Sequence, residues 1–285
     1  MTVLQAIFLA VLQGVSELFP VSSLGHTVLI PSLLHWTIDR RDPTFLAFIT
    51  VLHLGTAIAL IVFYRREWRA IIGAFVGSVI RGRLTDNRDE RIAWLLVAGT
   101  IPVGILGVFL QKPVSNLLAS PAPVAVFLML NALVMFIGEY LRKRQHENLK
   151  RRYKALQEMN WKNGVLVGLA QSLALLPGIS RSGSSIVAGL LLDLTHEDAA
   201  KYSFLLATPV IFAANLLEIP DLLGPKVHLA LLESIAGCII AGITAYLSVA
   251  FLTRYFRSND LRPFGWYCLI FGALCFVLVR MGVMV

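Results

Sequence analysis

Charge is scarce in this chain. Of its 285 residues only 15% are Asp, Glu, Lys or Arg, against 57% apolar, and the mean hydropathy is +0.74. A soluble domain of this size could not cover its surface from that composition, so the class is a polytopic membrane protein. Cysteine is scarce too. Cys238, Cys268 and Cys275 all fall inside apolar runs with no metal-ligand spacing. That excludes a disulfide framework or a thiolate metal site and leaves small buried residues. Acidic residues number 17 against 25 Lys and Arg, giving a net charge of +8. The placement of the basic residues excludes a nucleic-acid partner. Seven lie between Arg65 and Arg91, eight between Arg142 and Lys162, and Arg254, Arg257 and Arg262 form a third group. Short basic segments beside apolar spans follow the positive-inside rule, setting topology and meeting anionic lipid. A cleavable signal peptide is not expected either, because the first apolar run lacks a basic start and is interrupted by Glu17 and Pro20.

What is present is a series of apolar runs in two similar orders. Two short runs at 6–12 and 27–34 flank a polar break, and a polar loop at 36–44 follows. Full spans are expected at 45–64, 93–110 and 123–141, each near the ~20 residues a bilayer requires. The segment 68–80, flanked by arginines, reads as a helix lying along the cytoplasmic interface. After the basic segment, short runs at 164–176 and 186–194 flank a second break, and spans follow at 203–217, 229–252 and 264–283.

The halves also share landmarks. Ser22 and Gly25 follow Gln13 by 9 and 12 positions, and Ser180 and Gly183 follow Gln171 by the same intervals. An odd number of spans per half makes the second copy enter from the opposite face. The expected fold is therefore an all-α integral membrane protein with an inverted-topology repeat, each half a re-entrant helix hairpin plus three transmembrane helices. It is read as one membrane domain over 1–285, with repeats at 1–141 and 161–285 joined by a basic cytoplasmic linker at 142–160. With nineteen Lys and Arg placed in cytoplasmic segments and five at outer ones, the first hairpin enters from outside and the second from inside.

The breaks carry the chemistry. Residues 13–26 read Q-G-V-S-E-L-F-P-V-S-S-L-G-H, a carboxylate, hydroxyls and an imidazole at membrane depth. A charge there costs about 2.5–3.5 kcal/mol even on lenient scales, and broken backbone survives only inside protein or beside a water-filled cavity. The second break, 177–185, reads P-G-I-S-R-S-G-S-S. An arginine among hydroxyls at the start of a short helix suits phosphate, through its planar fork and the free N–H groups of the helix N-terminus. Gln13 and Glu17 share one helix face, which suits a divalent cation bridging a diphosphate or a general acid/base. Either Ser23 or His26 can serve as nucleophile or proton carrier. Arg181 and the backbone from Ser180 to Gly183 are the expected phosphate grip, and the same arginine can offset Glu17. His53, alone in an apolar span, reads as a hydrogen-bonded core residue, and Asn131 and Asn215 read as interhelical hydrogen bonds.

These motifs resemble those of the undecaprenyl-diphosphatases, also called bacitracin-resistance proteins. That family carries (Glu/Gln)-x-x-x-Glu followed by P-V-S-S-x-G-H, here Gln13 to Glu17 and Pro20 to His26, and then P-G-x-S-R-S-G-x-Thr, here Pro177 to Ser185. Gln13 takes the amide alternative at its position, and Ser185 stands where threonine is usual. The resemblance covers the whole chain. It implies a phosphoric anhydride hydrolase of the bacterial cytoplasmic (inner) membrane that removes the terminal phosphate of undecaprenyl diphosphate. The product carrier returns to peptidoglycan synthesis, and bacitracin resistance follows. The resemblance further implies a site open to the periplasmic face, a divalent cation (Mg2+ or Ca2+) at Glu17 and Gln13, and a catalytic set of Glu17, Ser23, His26 and Arg181. Substrate contacts would fall to Gln13, Ser22, Ser180, Ser182, Gly183 and Ser185. Its partners would be the polyprenyl diphosphate and membrane lipid, with a homodimer left open.

Two rival readings can be weighed on the motifs. Broken helices in an inverted repeat are also transporter architecture, which would make the chain a flippase for the monophosphate carrier; a nucleophile-grade group beside an arginine exceeds what transport requires. The other large class of membrane lipid phosphatases needs a histidine four residues after the Ser-Arg arginine. Ser185 stands there instead, which excludes it.

Overall fold

The computed structural model describes residues 1–38, 42–118, 120–147, 150–222 and 231–284, and within these the side chains of all but residues 43, 111–118, 217–222 and 231–233. The charged part of the expected 36–44 loop, Asp39 to Arg41, lies outside the described residues. The described chain is helical, with an isolated bridge between Lys154 and Leu194.

Among the described residues six helices are long and apolar enough to cross a bilayer: α3 (Pro43–Phe63), α5 (Arg88–Leu118), α6 (Pro121–Glu147), α9 (His196–Leu222), α10 (Leu231–Tyr255) and α11 (Arg262–Arg280). The chain is a multi-pass membrane protein. Between them lie α1 (Val3–Ser16), α2 (Ser23–Leu33), α4 (Arg65–Arg81), α7 (Trp161–Gln171) and α8 (Arg181–Leu191). At 1.5 Å per residue, an 11-residue helix reaches roughly 16 Å, about half of the hydrocarbon core. Thus α1–α2 and α7–α8 each form a pair whose connecting break sits at depth.

Local sequence sets these boundaries. Thr2 and Gln5 form a capping box at the start of α1, with Gln5 Oε1 accepting from the Thr2 N–H at 2.8 Å. The first break ends where Ser22 caps α2 by accepting the Gly25 N–H at 3.2 Å. The second ends where Ser180 caps α8 by accepting the Gly183 N–H at 3.1 Å. Serine caps a helix start because its hydroxyl satisfies an N–H that has no carbonyl partner. Asp42 caps α3 in the same way, through Thr44 at 2.8 Å. Helix α4 stops at Gly82, whose φ of 63° is left-handed. Its Ile72, Val76 and Val79 are exposed while Ile71 and Ser78 are buried, as an interfacial helix requires.

The halves interlock. Helix α1 packs on α10 and α7 on α5, while α3 packs on α9 and α10, and α6 on α8 and α11. Glycine allows the closest approaches. A Cβ on Gly14 of α1 would lie 2.3 Å from the Ala241 carbonyl oxygen of α10, and one on Gly168 of α7 would lie 2.4 Å from that of Gly99 in α5. Without a hydrophobic drive inside lipid, such backbone contact holds helices together. Basic segments join at one end, where Lys201 pairs with Glu67 at 3.0 Å, Lys154 with Asp193 at 2.9 Å and Arg257 with Glu197 at 3.2 Å.

Cys268 and Cys275 are buried, as expected of small core residues, whereas Cys238 is only half-buried. Asn215 departs from it. Its Nδ2 donates to the Ile211 carbonyl at 2.9 Å, one turn back on its own helix. An asparagine can satisfy a neighbouring carbonyl locally, and sequence does not distinguish that from a bond across helices.

Candidate active site

The two breaks touch. Ser182 Oγ donates to the Phe19 carbonyl at 3.1 Å, and a Cβ on Gly25 would lie 3.2 Å from Gly178 Cα. Asn131, fully buried on α6, joins them from the side. Its Nδ2 donates to the Pro20 carbonyl at 3.0 Å, and its Oδ1 accepts the Ser180 N–H at 3.0 Å. One amide thus satisfies a carbonyl of the first break and an N–H of the second, the bridging that an irregular backbone needs in a membrane. Asn131→Leu keeps the branched outline of the side chain but orphans both groups, at about 1–3 kcal/mol each. The apparent melting temperature in detergent is expected to fall by roughly 5–10 °C, and activity with it; an unchanged melting curve would exclude the bridge.

At the junction stands Glu17, the residue that ends α1. Its Oε1 accepts from Arg181 Nη2 at 3.1 Å, across the two breaks. Its Oε2 accepts from Ser23 Oγ at 2.6 Å and from Gln13 Nε2 at 3.0 Å. Both side chains of the ion pair are nearly buried, with 11% of Arg181 and 8% of Glu17 exposed. A buried charge without its partner costs about 3–5 kcal/mol, so each fixes the other. Arg181 Nη1 also donates to the Ser203 carbonyl of α9 at 3.2 Å, whereas its Nε is buried and has no partner among the described residues. Gln13 Oε1 and Ser184 Oγ are likewise buried and unpartnered. Unfilled polar atoms here leave donors and acceptors for a ligand.

The remaining expected residues divide. Ser180 Oγ and Ser182 Oγ lie 3.0 Å apart, and with Gly183 they form the first turn of α8 beside the arginine. Ser185 turns away from the ion pair: its Oγ lies 2.6 Å from Ser203 Oγ and donates to the Arg181 carbonyl at 2.8 Å. It supports the arginine from behind, a task in which a methyl has no part. His26 faces α11. Its Nδ1 is 2.7 Å from the Ser22 carbonyl and its Nε2 is 2.7 Å from Tyr267 Oη. Among the described residues no hydrogen bond joins His26 to Glu17, Ser23 or Arg181.

The imidazole beside the carboxylate belongs to His53 of α3. Its Nε2 lies 3.4 Å from Glu17 Oε2 while its Nδ1 donates to the Ile49 carbonyl at 2.9 Å. His53 is hydrogen-bonded through Nδ1 as expected, but it is half-buried instead of a core residue, and its Nε2 faces Glu17. The missed signal was available, since an ionisable residue inside an apolar span marks a site by default.

The donor set bears on the expected cation. Among the described residues no three His, Cys, Asp or Glu side chains converge as metal ligands. One carboxylate and the unpartnered Gln13 Oε1 cannot cage an ion alone. They fit a hard cation that takes most of its oxygen ligands from phosphate and water, as Mg2+ commonly does.

Two half-length helix pairs, each opening a serine-capped N-terminus onto a shared glutamate–arginine pair, define the class: a polytopic membrane protein with a polar, anion-suited centre held inside its helices. The chain belongs to the bacitracin resistance protein BacA family, whose model matches residues 6–274. It is 45% identical to an undecaprenyl-diphosphatase of Acidiphilium cryptum, over 99% of this chain and 100% of that protein. It is 46% identical to undecaprenyl-diphosphatase 2 of Chromobacterium violaceum, over 96% of this chain and 98% of that protein. An undecaprenyl-diphosphatase of Mycobacterium avium is 45% identical, over 96% of each.

Proposed function

We infer that this protein hydrolyses undecaprenyl diphosphate to undecaprenyl phosphate and inorganic phosphate. The observation that carries this reading is the Glu17–Arg181 contact, with a serine hydroxyl on the glutamate and an unfilled guanidinium N–H on the arginine.

The chemistry follows from those atoms. Arg181 and the first-turn N–H groups of α8 receive the phosphate oxygens. Ser23 attacks the terminal phosphorus as its proton passes to Glu17 Oε2, already 2.6 Å away. The bond from that phosphorus to the bridging oxygen breaks, and undecaprenyl phosphate leaves. Glu17 passes that proton to the phosphate oxygen of the departing carrier, and the freed carboxylate then takes a proton from the attacking water and returns it to Ser23 Oγ as the serine–phosphorus bond breaks and inorganic phosphate leaves. Catalysis here is chiefly positioning and charge stabilisation, which a rigid, nearly buried pair supplies. A divalent cation held by Glu17 and Gln13 would neutralise charge across the two phosphates.

The repeats at 1–141 and 161–285, joined at 142–160 in one domain, are read as inverted copies. The same order of short pair and three long helices supports this, as does the reciprocal packing of α1 on α10 and α7 on α5. With the basic end in the cytoplasm, the first hairpin opens outward, placing the site toward the periplasmic face of the bacterial inner membrane.

The test is phosphate release by purified protein from undecaprenyl diphosphate in detergent micelles, with and without chelator. Release that chelator lowers at least tenfold is expected. Transfer of the monophosphate carrier across liposomes with no phosphate release would replace hydrolysis with transport.

A further inference from the structure

We propose that Tyr267 is a positioning residue of this site, holding His26 as a tether on the Ser22 carbonyl and not as a base or nucleophile; the role in turnover rests on the hydrolase reading above.

A carbonyl oxygen only accepts, so the 2.7 Å contact between His26 Nδ1 and Ser22 O places a ring proton on Nδ1. The lone pair of a neutral ring is then on Nε2, and the Tyr267 hydroxyl, 2.7 Å away, donates to it. Both ring nitrogens are thereby used. The ring is 2% exposed and lies near-parallel to Tyr267 and Phe271, at interplanar angles of 8° and 16°. Attack on phosphorus through Nε2 would require Tyr267 to leave.

The tether acts on a strained junction. Ser22 has φ 70° and ψ 101°, in a region that L residues rarely adopt. Its carbonyl receives two donors from one residue, the His26 backbone N–H at 3.2 Å and the His26 ring at 2.7 Å. That carbonyl belongs to the peptide leading into Ser23, so pinning it fixes the peptide plane that sets Ser23 Oγ 2.6 Å from Glu17. The residue after Tyr267 braces the same break, with Cys268 Sγ 3.9 Å from the Pro20 carbonyl. Helix α11 thus supports the first break at two points.

The test is Tyr267→Phe, assayed for kcat and KM on undecaprenyl diphosphate, alongside ¹⁵N NMR of the His26 ring in the full-length wild-type and variant proteins. The expected results are an Nδ1–H tautomer in the wild type, a kcat about tenfold lower in the variant and a KM within about twofold, because a misplaced nucleophile slows the step without loosening the phosphate grip. Acid-stable phosphoserine is the intermediate expected to be trapped. An Nε2–H tautomer, unchanged or raised kcat in Tyr267→Phe, or acid-labile phosphohistidine at His26 would each overturn the proposal. A wild-type protein that releases no phosphate would remove the hydrolase reading, and the tautomer would then decide the tether alone.

Discussion

Alanine at position 181 is expected to lower phosphate release from undecaprenyl diphosphate by about 10³-fold or more, the scale of losing a preorganised charge clamp. Three nitrogens of Arg181 have separate tasks. Nη2 holds Glu17 at 3.1 Å, Nη1 is anchored on the Ser203 carbonyl at 3.2 Å, and Nε is unfilled. Deleting the side chain would remove the phosphate grip proposed for it and strand Glu17 in a buried site, so destabilisation contributes part of the expected loss. Arg181→Lys separates the effects. It keeps a cation for Glu17 but not a fork for phosphate, so a thermal unfolding temperature near wild type with activity still down about 10–100-fold is expected. Folded Arg181→Ala protein with wild-type turnover would exclude the site altogether.

Ser23→Ala is expected to have the larger effect on kcat, about 10⁴-fold or more, with little change in the affinity for substrate. Glu17 retains Arg181 and Gln13, and His53 remains 3.4 Å from its Oε2, so the carboxylate stays in place without the hydroxyl. Binding of a labelled diphosphate lipid should therefore persist when release of phosphate has ceased. A Ser23→Ala protein that turns over within tenfold of wild type would transfer the attack to water or another side chain. Together the two variants divide the site into a part that grips and a part that reacts.

Much of this was legible in the residues. Apolar runs too short to cross, each followed by a polar break, marked both half-length pairs, because a bilayer sets a minimum length that 11-residue helices such as α2 and α8 do not meet. Gln13, Glu17, Ser23 and Arg181 stood out because ionisable, amide and hydroxyl groups are costly at that depth without a task. Segment ends were less legible. Span α5 begins at Arg88, before its apolar part, since helical hydrogen bonding continues into polar sequence without any change of pattern.

The orientation of the two histidines was not legible. His26 stands three residues from Ser23 and His53 thirty from it, yet His53 lies beside Glu17 while His26 points to Tyr267. Nearness along a chain does not fix direction around a helix that begins in a strained turn. Asn131 shows the same limit, since its two partners lie 111 and 49 residues away.

By itself the sequence determined a multi-pass membrane protein with two polar breaks, and the residue types from which a diphosphate site is proposed. Those follow from hydropathy, length and side-chain chemistry, which are properties of each segment alone. Only the tertiary structure decided that Glu17 meets Arg181, that Asn131 ties the breaks together, and which imidazole stands at the carboxylate. Such contacts join distant helices, and their geometry is set by how backbones pack at small residues such as Gly14 and Gly168, not by any local pattern.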